Sequence, residues 1–159
     1  MKYPVMLDIR GKKVVIIGGG KVALRKAKGL IAAAADVLVI GSTVLPEIKA
    51  LNVQFLEEVY RKEHLSGAFM VFICTDNREV NQAVLQDVSS EQLVNDTTNQ
   101  SNSDFFNMAT VAKKELVVGI STGGRNPGYA KKVKQEVAEL VEKLATEEIG
   151  NRVKKELKP

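Results

Sequence analysis

Three consecutive glycines, Gly18-Gly19-Gly20, followed by Lys21, Val22 and Ala23, are the first residues of this sequence whose spacing points to chemistry. They fit G-x-G-x-x-G/A, in which glycines allow a tight turn and let backbone N–H groups approach a pyrophosphate at a helix N-terminus. Alone the hexapeptide is weak evidence, because a bare glycine turn is the alternative. Its context is stronger: the apolar run Val14–Ile17 precedes it, a helical pattern follows, and a second apolar run comes after that. Gly18 and Gly20 are therefore candidate cofactor-binding residues. Thr75, Asp76 and Asn77 lie just past the apolar stretch Phe69–Cys74. Ligands of doubly wound sheets bind beyond the carboxyl ends of strands, which suits these three to the nicotinamide-ribose side of a dinucleotide. Capping of the next helix by Asp76 or Asn77 is the alternative, and the two roles are compatible. A second glycine loop, Ser121 to Gly128, also feeds a helix, where backbone donors with Arg125, Lys131 and Lys132 suit an anion. The bland reading there is a tight turn with a solvated basic face.

One feature usual in NAD sites is missing. An acidic residue about 20 positions after the glycines normally holds the ribose 2′-hydroxyl. Here the second apolar run ends Val39-Ile40-Gly41-Ser42-Thr43, and Asp36 stands at its wrong end. The hydroxyls of Ser42 and Thr43 remain to bond the ribose, and no arginine stands at this turn to favour a 2′-phosphate. These residues imply a dinucleotide without deciding between NAD and NADP. His64, the single histidine, lies in a polar connection, and Cys74, the single cysteine, reads as an inert buried thiol. No metal site is expected from one of each. Acid–base work would fall to carboxylates.

These residues need a frame of alternating strands and helices. Val14–Ile17, Asp36–Ile40, Val53–Leu56, Phe69–Cys74 and Gln92–Val94 read as strands, and Lys21 to about Ala34 and about Glu79 to Val88 as helices. The polar stretch Asn95 to Asp104 reads as a loop, "DFFNMATVAKKE" as helical, and Leu116–Ser121 as a further strand. Asn126-Pro127-Gly128 opens a long helix whose apolar stripe is Val133, Val137, Leu140, Val141 and Leu144. The expected fold is α/β: a Rossmann-type doubly wound, mainly parallel sheet, followed by a small dimerisation region and C-terminal helices.

A chain of 159 residues with 45% hydrophobic content can bury a real core as one domain with an appendage. No apolar run reaches the roughly 18–20 residues of a membrane span. The N-terminal stretch lacks the apolar region of a secretory signal, so a cytoplasmic location is expected. The formal charge of +4 is spread along helices, and aromatics are only 5%. That pattern argues against nucleic acid as a partner and suits an anionic small molecule.

Together, "YPVMLDIRGKKVVIIGGGKVALRKAKGLI", "CTDNREVNQAV", "LVND" and "VGISTGGRNPGYAKKVKQEV" resemble the dehydrogenase module of sirohaem synthases, the precorrin-2 dehydrogenase family. Some members of that family are also sirohydrochlorin ferrochelatases. The resemblance runs from about Pro4 into the final helix. It implies NAD-dependent oxidation of precorrin-2 to sirohydrochlorin in an intertwined homodimer. It also implies a Rossmann domain over residues 1–112 and a dimerisation region with helical tail over 113–159. By position, Lys21, Val22, Ser42 and Thr43 match family cofactor contacts, and Thr75–Asn77 with Asn95 match the nicotinamide side. The substrate is a polycarboxylate, for which Ser121, Arg125 and Lys131 are the candidate binding residues.

Two departures stand out. Bifunctional members carry N-x-x-D, with the aspartate proposed for both dehydrogenation and metal insertion. This chain reads Asn95-Asp96-Thr97-Thr98. In an extended segment Asp96 shares a face with Thr98, which makes the two the candidate catalytic residues. Either Asp96 substitutes in part, or the oxidation needs no strong base. Metal insertion does need a proton acceptor, so the departure weighs against a chelatase. The second is "AAAAD", Ala32 to Asp36, where relatives place a glycine at the helix end, a difference of about 1 kcal/mol. A non-catalytic dinucleotide-sensing module shares the glycine turn and the T-D-x-x-x-N stretch. It normally keeps the acidic residue after the second strand and lacks the S-T-G-G-x-x-P loop. A small NADP reductase would carry an arginine near Ser42.

Overall fold

The computed structural model describes residues 2–156, with side chains through residue 146. Five strands, β1 (Lys13–Ile17), β2 (Asp36–Gly41), β3 (Gln54–Glu57), β4 (Met70–Ile73) and β5 (Leu93–Asp96), form one sheet in the order β3-β2-β1-β4-β5. Every neighbouring pair is parallel. Strands covered on both faces need no polar alternation, which is why β1 and β4 are continuous apolar runs. Successive side chains still point to opposite faces. Val14, Ile16, Val37, Val39, Met70 and Phe72 pack with Ala23, Ala27, Leu30 and Ile48 of α1 (Lys21–Ala32) and α2 (Pro46–Lys49). Val15, Ile17, Ile40, Val71, Ile73 and Val94 pack on the other face with Leu65, Ala68 and Val84, the last from α3 (Arg78–Asp87). The sheet is doubly wound, as expected.

The end of α1 explains the missing glycine. Ala34 adopts φ 55, a left-handed conformation, while its N–H donates to the Ile31 carbonyl and that of Ala35 to Leu30. Alanine here carries the Cβ strain that a glycine would avoid.

The chain divides into two compact units, residues 3–105 and residues 106 onward. The second contains β6 (Ala109–Lys113), β7 (Leu116–Ile120) and α4 (Pro127–Glu156). The helix expected within "DFFNMATVAKKE" is instead β6, paired antiparallel with β7. Thr110 and Val111 are β-branched, and Val111 alone of β6 is buried, so the half-buried strand wins over local helix propensity. The boundary expected at 112/113 would cut this strand. β6 and β7 are joined through Lys114, at φ 51, and Glu115. α4 packs on β6, and Lys113 Nζ reaches the Glu142 carboxylate at 2.7 Å. Of the expected stripe on α4, Val141 is buried, whereas Leu140 and Leu144 are 54% and 51% exposed. Residues 157–159 of the expected tail lie outside the described residues. Among the described residues no helix is long and apolar enough to cross a membrane.

Candidate active site

The carboxyl ends of β1, β2, β3 and β4 open onto one cleft of about 620 Å³ in the first unit. Its floor is the turn after β1. Gly18 has φ +119, and a Cβ there would lie 2.6 Å from the Cys74 carbonyl carbon, so only glycine lets β1 and the end of β4 close up. Gly41 is held as tightly from the other side, with a Cβ falling 2.9 Å from the Gly19 nitrogen. Gly20 differs: its φ is ordinary, and an added Cβ would meet no protein atom within 4 Å. Gly20 is the N-cap of α1, yet no side chain caps that helix and its first turn has no acidic residue. Gly20, Lys21 and Val22 line the cleft, so the first N–H groups of α1 are left for a ligand, and the helix dipole favours negative charge there. This arrangement fits the diphosphate of a dinucleotide.

Ser42 and Thr43, past β2, form the next wall. Their loop is tied down by Glu57 at the end of β3. Its Oε1 accepts from the Val44 N–H at 3.0 Å and its Oε2 from Lys49 Nζ at 2.6 Å. The lysine first, and then the Val44 N–H, hold the Glu57 carboxyl below its ordinary pKa. Opposite, Thr75, Asp76 and Asn77 line the cleft beyond β4. Asn77 is also the N-cap of α3, its Oδ1 accepting from Glu79 and Val80 N–H groups at 3.0 and 3.1 Å. Cap and cleft wall coincide in one residue. Lys21 and Val22 complete the glycine side.

Asn95, Asp96 and Thr98 lie outside this lining. Asn95 is buried, with Oδ1 accepting from Lys26 Nζ at 3.1 Å and Nδ2 donating to the Phe105 carbonyl at 2.9 Å. Asp96 and Thr98 do come together, by a hydrogen bond and not by strand alternation, since β5 stops at Asp96. Asp96 Oδ1 accepts from the Thr98 hydroxyl at 2.7 Å and from the N–H groups of Thr98 and Asn99. Its Oδ2 accepts from Asn102 Nδ2 at 2.9 Å. Burial pushes this carboxyl up, but the bonds from Asn102, Thr98 and Asn99 outweigh it and hold the pKa below its ordinary value. The Thr98 hydroxyl, while donating its hydrogen bond to Asp96, accepts from Asn81 Nδ2 at 3.3 Å. Asn81 is buried and its Oδ1 has no protein partner. Burial pushes the Cys74 thiol up to about 11 despite nearby Lys26, so it is inert at neutral pH.

In the second unit Ser121, Arg125 and Lys131 are exposed on or next to one ordered loop. Ser121 Oγ accepts from the Gly123 N–H at 3.1 Å, and Asn126 Oδ1 caps α4 by accepting from the Tyr129 N–H at 2.9 Å. Gly123 and Gly124 both have positive φ, which explains the glycine pair in "STGG".

The cleft also holds residues not anticipated from the sequence: Glu58, Val59 and Tyr60, just past β3. Glu58 accepts at Oε1 from His64 Nε2 at 2.7 Å and pairs with Arg61. His64 is buried, 7% exposed, inside a 3-10 turn (Lys62–Leu65) and not in an open polar connection. The available signal was an acidic pair directly after a weak strand.

A family model described as NAD(P)-binding matches residues 5–109. A precorrin-2 dehydrogenase of Bacillus subtilis is 32% identical over 143 residues, covering 87% of this chain and 88% of that protein. This chain belongs to the precorrin-2 dehydrogenase family. A solved family structure, SirC, precorrin-2 dehydrogenase, superposes with a TM-score of 0.77 at 29% identity, covering 87% of this chain and 70% of that one. Siroheme synthase 1 of Pectobacterium atrosepticum is 33% identical over 147 residues, and the match spans 31% of that longer protein.

Proposed function

We propose that this chain is the NAD-dependent dehydrogenase that oxidises precorrin-2 to sirohydrochlorin in sirohaem biosynthesis. The observation that carries the reading is the uncapped N-terminus of α1, opening through Gly20 onto a cleft at the carboxyl ends of four parallel strands. The N–H groups there hold the diphosphate, with Gly18 and Lys21–Val22 shaping the turn. Ser42 and Thr43 take the adenosine ribose, and Thr75, Asp76 and Asn77 flank the nicotinamide ribose. Bound NAD supplies the hydride acceptor. Ser121, Arg125 and Lys131 bind carboxylates of the macrocycle, a task suited to an exposed basic surface.

The oxidation removes a hydride and a proton from the substrate. Asp96 is badly suited to take that proton, because both its oxygens are occupied and its basicity is lowered. Its role is to fix the Thr98 hydroxyl, and the proton passes to solvent. Position 98 carries no carboxylate, which weighs against metal insertion by this chain. The active species is a homodimer formed through the exposed apolar side chains of the second unit, Leu116, Val117, Leu140 and Leu144.

The test is anaerobic oxidation of enzymatically generated precorrin-2 with NAD, followed by the absorbance of sirohydrochlorin. Rapid product formation is expected, with no acceleration of metal uptake when ferrous ion is added afterwards. Nucleotide binding without any product would overturn the enzyme and favour a sensing module.

A further inference from the structure

The second strand of this fold ends without the acidic residue that NAD sites normally place against the adenosine ribose. β2 finishes Ile40-Gly41 and passes into Ser42-Thr43. The neighbouring strand supplies what is missing. β2 and β3 are parallel and their last paired positions are Gly41 and Glu57, so Ser42 and Glu58 follow directly on the ends of two adjacent strands. Parallel neighbours lie roughly 5 Å apart, a gap that a glutamate side chain bridges. Ser42, Thr43 and Glu58 all line the one cleft.

Glu58 is also held in a defined state. The Arg61 N–H donates to His64 Nδ1 at 3.1 Å, so that nitrogen is the unprotonated one. The imidazole proton is therefore on Nε2, and it is donated to Glu58 Oε1 at 2.7 Å. The neutral ring orients the carboxylate without adding charge. Arg61 Nη2 and Nη1 also approach Glu58, at 3.0 and 3.4 Å. Arg61 itself does not line the cleft, and its guanidinium is engaged by Glu58.

We infer that Glu58, just past β3, is the carboxylate that accepts from the adenosine ribose 2′-hydroxyl and makes this site select NAD over NADP. His64 is its positioning residue. This rests on the dinucleotide reading of the cleft above. A 2′-phosphate would meet a fixed negative charge and could reach Arg61 only by breaking its pairing with Glu58.

The test is titration of the full chain with NADH and NADPH, followed by nicotinamide fluorescence, in wild type, Glu58→Gln and His64→Phe. Wild type is expected to bind NADH more tightly. Glu58→Gln should lose about tenfold of that preference, partly through tighter NADPH binding, which a merely structural defect would not produce. His64→Phe should lose a smaller part of it. Equal or tighter NADPH binding by wild type overturns the inference without any variant. So does an unchanged NADH-to-NADPH ratio in Glu58→Gln, and in either case the dinucleotide site itself stands. Absence of binding by both nucleotides in wild type would overturn the site and the inference together.

Discussion

Gly18 and Gly20 look alike in the sequence, yet their surroundings give them different duties. Gly18 has no room: its positive φ and the Cys74 carbonyl, 2.6 Å from an added Cβ, make it a condition of folding. Gly20 has room on the protein side, so whatever restricts it must come from outside the chain. The expectation is a separation of effects. Gly18→Ala should cost more than about 2 kcal/mol of stability, from strain plus overlap. Gly20→Ala should change stability by less than about 1 kcal/mol. The same Gly20→Ala should weaken NADH binding about tenfold or more, because its methyl group obstructs the approach of the diphosphate. Urea denaturation and NADH titration of the two variants check this. Unaltered NADH affinity in Gly20→Ala would detach the turn from the nucleotide.

At the level of elements, the turn leaving β5 depends on one carboxylate. Asp96 gathers the N–H groups of Thr98 and Asn99, the Thr98 hydroxyl and the Asn102 amide, and so bends the chain away from the sheet. Its folded pKa is depressed below its unfolded value. The stability it contributes is therefore fully present above about pH 4 and is lost as pH falls through the folded pKa. Asp96→Asn places an amide against the Asn102 amide and should destabilise by about 1–3 kcal/mol at pH 7. Thermal denaturation from pH 7 downward should show that deficit shrinking below about pH 4; a deficit constant with pH would mean that ionisation of Asp96 is irrelevant. This turn also marks how far the sequence could be read. β1, β2 and β4 were visible because buried strands are apolar runs, whereas β3, exposed at every position, gave only a weak signal; the glycine turn was visible because Gly18 answers a steric demand. β6 was not visible, since Ala109–Lys113 becomes a strand only through pairing with β7. The Asp96–Thr98 bond and the Glu58–His64 pair were hidden for the same reason: each joins residues whose meeting depends on how a loop closes. The alanine at the end of α1 is the reverse case: the helix pattern ran on to about Ala34, and only the resemblance, with its glycine at the helix end, pointed to the left-handed conformation that Ala34 adopts.

For the molecule as a whole, the second unit is difficult to explain in an isolated chain. Leu116, Val117, Leu140 and Leu144 leave about half of their surface in water, although α4 already packs on β6 and buries Val141. Single exposed leucines are ordinary, but apolar side chains presented together by a hairpin and a long helix are typical of an association surface. Each leucine buried there would contribute about 1.5–3 kcal/mol. Replacing two of them by glutamate removes that contribution and forces charge into the contact. Leu140→Glu with Leu144→Glu should therefore raise the dimer dissociation constant by at least about a hundredfold. Sedimentation velocity on wild type and the double variant measures it directly. NADH binding provides the control, since the cleft residues belong to the first unit, and it should survive while precorrin-2 oxidation falls. A wild-type chain that sediments as a monomer at micromolar concentration would overturn the dimer, and a double variant that remains dimeric would place the contact elsewhere. If the variant is monomeric and fully active, the dimer is not required for catalysis, and Arg125 of the glycine loop and Lys131 of α4 work within a single chain.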